Sequence, residues 1–410
     1  MKIIFGAGLD GKKLIPEYKK EEICIYDNNK KLWGSEIEGI NVIDFEKLLE
    51  LVKIEENELI LTIHHKSALY FIKELCENYE VNCKLYKYDS GVINILNIDN
   101  IEPYSLDLEQ IAKTRLDGYE KAKEYYKQTG NTKAYEHACK YIEYRKNNLL
   151  SPELSGIELT NNCNLSCPNC PTPTCKRSKG FMSDEVFEQA FKYIPPALDT
   201  YFSMHGLGEP LLHPKFFEYL SRVAEIDKPL MISTNGVLLD DERIEKLFGI
   251  LNNIYDSLVM ISFHTKKSVE NWKKCVDLLE SNKEIKVKLS GQLLEHNSDM
   301  AKKWLKEVGI DNPEDNKYIQ FAYSHSFAGN VSSRRKEFTK FEVNNKIRNC
   351  YFINRNISGI SWDGRFKSCC LDSEVEGNVG NIFDIENARL NLKGYKLCRT
   401  CDPSWTNGFQ

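Results

Sequence analysis

The chain has 410 residues, 41% hydrophobic and 28% charged, so we expect two to four globular units. Its formal net charge is −5 and it contains no long run of Lys or Arg, which argues against a general nucleic-acid-binding protein. The small basic cluster of Lys176, Arg177 and Lys179 is therefore expected to be a solvated loop.

The distribution of apolar residues argues against a membrane-spanning protein and against an exported one. No stretch approaches the roughly 18 apolar residues of a membrane span, and the apolar run at residues 1–6 is too short for a signal peptide. We therefore expect a cytoplasmic protein. Its fourteen cysteines are then expected to be reduced and available as metal ligands.

The first hundred residues alternate short apolar runs with helical segments. Residues 2–5, 23–26 and 58–63 are predicted strands, and residues 68–79 are a predicted helix. Strands that alternate with helices are typical of a small parallel sheet of the Rossmann type.

A glycine-rich loop follows the first of these strands. Gly6, Gly8 and Gly11 have the spacing G-x-G-x-x-G, and Asp27 ends the second strand. Such glycines admit a pyrophosphate at a helix amino terminus, and such a carboxylate binds ribose hydroxyls. Together with residues 33–43, the region resembles small Rossmann-like domains of sugar-modifying enzymes. Two interpretations stay open: a domain that binds a nucleotide or nucleotide-sugar, and a docking domain without a ligand.

The character of the sequence changes twice after residue 100. Between residues 105 and 150, apolar residues recur at near-helical spacing among many Lys and Glu, which predicts a helical linker. From residue 156 to about 330, strand and helix signals alternate over a length suited to a partial or complete α/β barrel. The last 80 residues are less regular and contain five cysteines.

Three cysteines are concentrated in one short loop after a predicted strand at residues 156–160. Cys163, Cys167 and Cys170 have the spacing C-x3-C-x2-C. Thiolates this close together need a metal to neutralise them. A zinc site with Cys175 as fourth ligand and an iron–sulfur cluster with one open iron both fit this spacing.

Polar motifs follow three later apolar runs. Because ligands of α/β barrels sit at the rim where strands end, polar groups at successive strand ends predict an active site. The motifs are Gly206-Leu207-Gly208-Glu209-Pro210, Ser233-Thr234-Asn235-Gly236 and Ser262-Phe263-His264-Thr265.

In this order behind the cysteine loop, the motifs resemble those of the radical S-adenosylmethionine (SAM) superfamily over residues 154–330. The resemblance implies that Cys163, Cys167 and Cys170 hold a 4Fe–4S cluster whose fourth iron is chelated by SAM. It also implies reductive cleavage of SAM to a 5′-deoxyadenosyl radical, which removes hydrogen from a substrate. A flavodoxin or a ferredoxin-type protein would supply the electron.

The resemblance also implies which residues contact SAM. The glycine and glutamate of the first motif would hold the methionine ammonium, and the serines and asparagine of the next two would contact ribose or carboxylate. For the histidine, a structural role with a bond to the backbone is an equal alternative. The predicted contacts are Gly208, Glu209, Ser233, Asn235, Ser262 and His264.

A second set of cysteines lies near the carboxyl terminus. Residues 360–369 predict a β-hairpin with an Asp-Gly turn. Cys350, Cys369, Cys398 and Cys401 form a closed ligand set for iron–sulfur or zinc. The order of these elements resembles the Twitch domain, a shortened relative of SPASM domains, and so implies an auxiliary 4Fe–4S cluster.

We therefore predict an α/β protein: a partial (β/α)6 TIM-like barrel, an amino-terminal Rossmann-like domain and a small carboxy-terminal α+β iron–sulfur domain. The leading substrate hypothesis is a sugar, free or nucleotide-linked, in glycan biosynthesis, which would be oxidised or epimerised. The alternatives are a peptide-modifying maturase and a zinc-stapled binding protein without enzymatic activity. The predicted segments are a Rossmann-like domain at 1–100, a helical linker at 101–150, a radical SAM core at 151–330 and a Twitch/SPASM-like domain at 331–410.

Overall fold

The chain forms two units. Among the described residues, the first unit holds 1–101 and 350, and the second holds the others. No helix in the described part of the chain is both long enough and apolar enough to cross a membrane. The computed structural model describes residues 1–63, 66–89, 91–101, 108–151, 153–322, 330–331, 350, 352, 357–367, 369–376, 380–387 and 396–401.

The first unit contains a largely parallel sheet. Its strands are β1 (Lys2–Phe5), β2 (Ile23–Tyr26), β3 (Glu36–Ile37), β4 (Ile40–Ile43), β5 (Glu58–Leu61), β6 (Lys84–Asp89) and β7 (Val92–Ile95), and its helices are α1 (Leu9–Tyr18), α2 (Phe45–Leu51) and α3 (Lys66–Asn78). The sheet order is β3-β4-β2-β1-β5-β6-β7, with only β3 and β7 antiparallel to their neighbours. The parallel strands thus follow the order 3-2-1-4-5, which is the first five positions of the Rossmann order, and the predicted sheet of Rossmann type is confirmed.

Helices cover both faces of this sheet because its central strands are apolar throughout. In β1, Ile3 and Phe5 pack in one core with residues of α2 and α3. Ile4, between them in sequence, packs in a second core with residues of α1. Successive side chains of a strand point to opposite faces, so a continuous apolar run suits a sheet that is buried on both sides.

The second unit contains a longer sheet. Its strands are β8 (Glu153–Ile157), β9 (Phe202–Ser203), β10 (Leu230–Thr234), β11 (Ser257–Ser262), β12 (Lys288–Leu294), β13 (Ile319–Ala322), β14 (Ile357–Ile360) and β15 (Phe366–Lys367). Its helices are α4 (Leu108–Thr129), α5 (Thr132–Asn147), α6 (Asp184–Phe191), α7 (Phe216–Ala224), α8 (Asp241–Leu251), α9 (Lys266–Ser281) and α10 (Ser298–Glu307).

The order of strands β8 to β13 in the sheet is the order of the chain. These strands are all parallel, and one of the helices α6 to α10 connects each of them to the next. This singly wound arrangement is a partial (β/α)6 barrel, as predicted. The carboxy-terminal hairpin of β14 and β15 joins the same sheet, because β14 pairs in parallel with β8.

The two faces of the barrel strands differ in polarity. Ile232 and Val259 are fully buried in the core that the strands share with the flanking helices. The alternate residues Ser233 and Met260, which are paired across β10 and β11, are only partly buried. The alternation therefore gives the sheet a partly polar inner face and an apolar outer face, on which the helices pack.

The segment predicted as a helical linker forms α4 and α5, which belong to the second unit. Arg115 of α4 donates from Nε and Nη2 to the two carboxylate oxygens of Glu153, at 3.0 and 2.9 Å. Tyr141 of α5 donates to the same carboxylate, and the Nε of Arg145 lies 3.7 Å from it. Glu153 is the first residue of β8 and is 1% exposed, so a buried ionic cluster joins both helices to the amino end of the barrel.

We predict that Glu153→Gln lowers the free energy of unfolding by about 3–5 kcal/mol, because the substitution leaves buried arginines beside a neutral amide. The thermal unfolding midpoint should fall by about 6 °C or more. The matched control is Glu120→Gln, which removes a half-exposed partner of Lys123 and Lys146 and should cost less than about 1 kcal/mol. Equal losses of unfolding free energy in the two variants would contradict the role of Glu153 as the centre of a buried ionic cluster.

Candidate functional site at the carboxyl ends of the barrel strands

The predicted motifs follow neighbouring parallel strands of the barrel. The cysteine loop comes after β8 and the Gly-Leu-Gly-Glu loop after β9. Asn235 follows β10, and His264 follows β11. Because the carboxyl ends of parallel strands meet at one edge of a sheet, these four segments share one rim of the barrel.

The three cysteines of the loop between β8 and α6 are partly exposed. Burial raises the pKa of the Cys163 thiol, and burial together with the two neighbouring thiols raises the pKa of Cys167 to about 11. Such thiols become thiolates when a metal binds them. In the described residues, no three His, Cys, Asp or Glu side chains converge on a position for a single metal ion. Three soft thiols in one loop fit the ligand requirement of an iron–sulfur cluster with one open iron.

Gly208 brings the loop after β9 against the start of the cysteine loop. Its φ is +83°, and a Cβ atom at this position would lie 2.5 Å from the carbonyl oxygen of Asn162. The next residue, Glu209, donates from its backbone N–H to the same carbonyl at 2.7 Å. Only glycine permits both this backbone conformation and this close approach.

Glu209 is buried at the junction of β9 and β10, with an exposed fraction of 1%. One carboxylate oxygen accepts from the Thr234 hydroxyl at 2.7 Å and from the Leu211 N–H at 3.2 Å. The other accepts from the Asn235 N–H at 2.8 Å. Burial raises the pKa of this carboxyl, and the hydrogen bonds oppose the rise. Glu209 thus holds the end of β10 in place, and its contact with the methionine ammonium stays a prediction.

Asn235 links the end of β10 to the cysteine loop. Its side-chain amide donates to Oδ1 of Asn164 at 2.8 Å and lies 3.9 Å from the Cys163 sulfur. Its Oδ1 accepts from the Val237 N–H at 3.0 Å, which fixes the orientation of the amide. The structure therefore brings Asn235, Glu209 and Cys163 together, and ribose contact by Asn235 stays a prediction.

Ser233 and Ser262 lie on the inner face of the barrel and are partly buried. Strand pairing places Ser233 beside Met260, and Ser262 beside Gln292. Both hydroxyls therefore belong to the polar lining below the rim, where contact with SAM stays a prediction.

His264 follows Phe263, which is buried in the core against Trp272. The imidazole of His264 is partly buried, and its centre lies 6.1 Å from that of His296. Burial, with a smaller contribution from His296, lowers the pKa of His264 to about 4. The ring is therefore neutral at neutral pH. Its predicted contact with SAM stays untested.

A family model described as the radical SAM superfamily matches residues 157–292. Residues 157–292 therefore form a radical SAM domain. The match runs from the end of β8 into β12 and thus includes the cysteine loop and all the rim residues described above.

Curated relatives match over about a quarter of their own length. A tungsten-containing aldehyde ferredoxin oxidoreductase cofactor-modifying protein from Pyrococcus furiosus is 36% identical over 95 residues, which are 22% of this chain and 26% of that protein. The PqqA peptide cyclase of Gluconobacter oxydans is 35% identical over 105 residues, or 24% of this chain and 28% of the relative. The mycofactocin maturase MftC of Mycobacterium ulcerans is 29% identical over 106 residues, or 26% and 28%.

Two solved structures are among the similar folds. BtrN in complex with AdoMet and 2-DOIA is 15% identical, with a TM-score of 0.41 over 62% of this chain and 93% of that one. SuiB of Streptococcus suis bound to precursor peptide SuiA is 15% identical, with a TM-score of 0.38 over 76% of this chain and 85% of that one.

Sequence reasoning missed a buried carboxylate beside the radical SAM motifs. Glu158 accepts from Nη2 of Arg177 at 2.7 and 3.0 Å, from the Leu207 N–H at 3.0 Å and from Nζ of Lys367 at 3.3 Å. The expectation that Arg177 lies in a solvated loop is therefore wrong, because its side chain is 4% exposed. The available signal was a lone carboxylate between the apolar residues Ile157 and Leu159.

Cys175 is engaged outside the set of three cysteines. Its thiol donates to the Ser373 carbonyl at 3.6 Å and lies 3.7 Å from the Glu374 carboxylate. The Lys176 N–H donates to that carboxylate at 3.1 Å, and Nε of Arg177 donates to the Ser373 carbonyl at 2.7 Å. The carboxy-terminal segment thus holds the end of the cysteine loop.

The predicted hairpin near the carboxyl terminus is confirmed, with Gly364 at φ +83° in its turn. Cys369 follows β15, and Cys398 and Cys401 lie in one turn, where the Cys401 N–H donates to the Cys398 carbonyl at 3.4 Å. Cys350 belongs to the first unit and the other three cysteines to the second. Their assignment as ligands of an auxiliary cluster stays a prediction.

In the first unit, the glycine-rich loop follows β1. A Cβ atom at Gly11 would lie 1.9 Å from the carbonyl oxygen of Gly6, so α1 packs closely on the loop. The Asp27 carboxylate accepts from the Ala7 N–H and the Asn29 N–H, each at 2.8 Å. Asp27 therefore braces the loop from the end of β2, and any ribose contact would use its remaining lone pairs.

We predict a pH dependence of stability from His264. The unfolded chain protonates this histidine near its ordinary pKa of about 6.5 and the folded chain only at about 4. Its contribution to stability is therefore complete above about pH 6.5 and is lost as the pH falls towards 4. The thermal midpoint of H264Q should fall less between about pH 7 and pH 5 than that of the wild type. Identical falls in the two proteins would refute the lowered pKa.

Proposed function

We propose that this protein binds a 4Fe–4S cluster through Cys163, Cys167 and Cys170 and cleaves SAM reductively to begin hydrogen abstraction from its substrate. The carrying observation is the set of three thiols at the carboxyl rim of a partial barrel, in a segment that matches the radical SAM family model. When bound, the cluster and SAM supply the one-electron chemistry that yields a 5′-deoxyadenosyl radical. The proposed electron donor is a flavodoxin or a ferredoxin-type protein.

The chain's own groups orient SAM in this proposal. Gly208 lets the backbone approach the ammonium, and the remaining lone pair of the Glu209 carboxylate accepts from it. The amide of Asn235 is already fixed beside Cys163 and would offer a polar group to SAM bound at the cluster. Ser233 and Ser262 line the inner face towards the ribose or carboxylate.

Removal of one of the three proposed iron ligands should abolish both iron binding at this loop and SAM cleavage. Anaerobically reconstituted wild type should form 5′-deoxyadenosine from SAM and dithionite. Cys163→Ala should lose about four irons and at least 100-fold in rate, since an incomplete ligand set does not hold the cluster. Cys139→Ala, at a partly exposed position on α5, is the control and should retain both. A wild type that binds no iron, or a Cys163 variant that stays active, would contradict the proposal.

The proposed substrate is a nucleotide-linked sugar, which would be oxidised or epimerised. Support comes from the first unit, where the strand order reverses between β1 and β5, the position at which open α/β sheets bind ligands. The Gly6 loop and the amino end of α1 lie there, and Leu9 at this helix end is 83% exposed. The Leu9 side chain is thus accessible to the nucleobase or sugar of a ligand bound beside this loop.

We predict that UDP-glucose, UDP-N-acetylglucosamine, GDP-mannose or dTDP-glucose raises the thermal midpoint of the full chain. At a concentration of 100 Kd the stabilisation should be about 2.7 kcal/mol. Leu9→Asp should abolish it, because the charge repels the phosphates. Ile54→Asp is the control, since Ile54 is also exposed but lies away from the loop in sequence. No shift with any of the four ligands would remove the support for a sugar.

A peptide is the second candidate substrate. Two of the curated relatives are named as a PqqA peptide cyclase and a mycofactocin maturase, and the first of these names a peptide as substrate. A chain that cleaves SAM but binds none of the nucleotide-sugars would favour this class.

A further inference from the structure

Thr172 is buried between the third cysteine and the loop that carries Gly208, and its exposed fraction is 5%. The Cys170 thiol donates to the Thr172 hydroxyl oxygen at 3.2 Å, and the Thr172 N–H donates to the Cys170 sulfur at 3.5 Å. The Gly208 N–H donates to the same hydroxyl oxygen at 3.4 Å. One side chain therefore touches both a proposed cluster ligand and a proposed SAM-binding loop.

The backbone carbonyl of Thr172 is held by a lysine of the same loop. Nζ of Lys179 donates to the Thr172 carbonyl at 3.0 Å and to the Asn161 carbonyl at 2.9 Å. Asn161 lies at the start of the cysteine loop, and Thr172 lies after its third cysteine. The Lys179 ammonium therefore joins the two ends of the segment that carries the cysteines. The backbone of Thr172 is thus held by a contact that does not involve the cysteines.

The direction of the hydrogen bond to sulfur follows from the number of protons. A hydroxyl has one proton and two lone pairs. Once Cys170 binds a metal as a thiolate it has no proton to donate, so the Thr172 O–H must donate to the sulfur. The hydroxyl oxygen then keeps the Gly208 N–H as its own donor. The Cys170 sulfur would receive two hydrogen bonds from Thr172, one from the backbone and one from the side chain.

We propose that Thr172 is a positioning residue that raises the reduction potential of the cluster and links that potential to the Gly208 loop. The inference rests on the proposed binding of a 4Fe–4S cluster and SAM. Hydrogen bonds to a ligand sulfur draw charge from it and favour the reduced cluster. SAM bound at Gly208 would add contacts to the loop whose N–H holds the hydroxyl oxygen, and so strengthen the bond to sulfur.

The test is a redox titration of the reconstituted full chain, with and without SAM. The reduced cluster is monitored through the EPR signal that changes when SAM is added. At a given potential, Thr172→Val should lower the ratio of reduced to oxidised cluster about tenfold, which is about 59 mV for a one-electron couple. The change in potential on adding SAM should also be smaller in this variant. Thr172→Ser, which restores the hydroxyl, should match the wild type.

Thr174→Val is the matched control. Thr174 lies in the same loop, is exposed, and donates only within the loop, to the Pro171 carbonyl at 3.2 Å. Its potential should equal that of the wild type. If the valine at position 172 prevents iron loading, Thr172→Ala removes the same hydroxyl with less steric demand.

The results distinguish a failure of the proposed function from a failure of the proposed role of Thr172. A wild type without iron or 5′-deoxyadenosine would refute the proposed function. A wild type that is active, together with an iron-loaded Thr172→Val or Thr172→Ala of unchanged potential, would refute only the role of Thr172. An equal shift in Thr174→Val would refute it as well, because the effect would then not depend on the bond to Cys170.

Discussion

The second unit depends on one buried carboxylate, that of Glu158. It receives Arg177 from the end of the cysteine loop, the Leu207 N–H from the Gly-Leu-Gly-Glu loop and Lys367 from the carboxy-terminal hairpin. Desolvation makes such a cluster costly, and two cations share one anion, so its value lies in geometry more than in net stability. Three segments far apart in sequence are placed relative to one another by this group.

Around that carboxylate, the site is organised by side chains that bind backbone. Glu209 accepts from two backbone N–H groups, and Asn235 is oriented by a third. Arg177 binds the Ser373 carbonyl, and Lys179 binds two carbonyls of the cysteine loop. A cluster and its cosubstrate need ligands held within fractions of an ångström, and contacts of this kind hold loops that lack regular secondary structure.

Sequence reasoning found those parts of the fold and site that are local in the chain. The strand signals and the motifs at strand ends depend on near neighbours, so β10 with Asn235 and β11 with His264 were predicted in their correct places. Contacts across the chain were missed: nothing near Arg177 or Lys367 in sequence indicates a carboxylate at Glu158. Thr172 was missed for the same reason, since its role depends on Gly208.

The pairing of β14 with β8 has a consequence for biosynthesis. The strand that leads into the cysteine loop lies in the interior of the sheet only because the hairpin binds its second edge. Ile360 of β14, which pairs with Ile157, lies 203 residues beyond it (360 − 157), which at ribosomal rates of about 5–20 residues per second means a delay of roughly 10–40 s. Until then the nascent barrel exposes an unpaired edge beside its cysteines, where association with other chains competes with completion of the sheet.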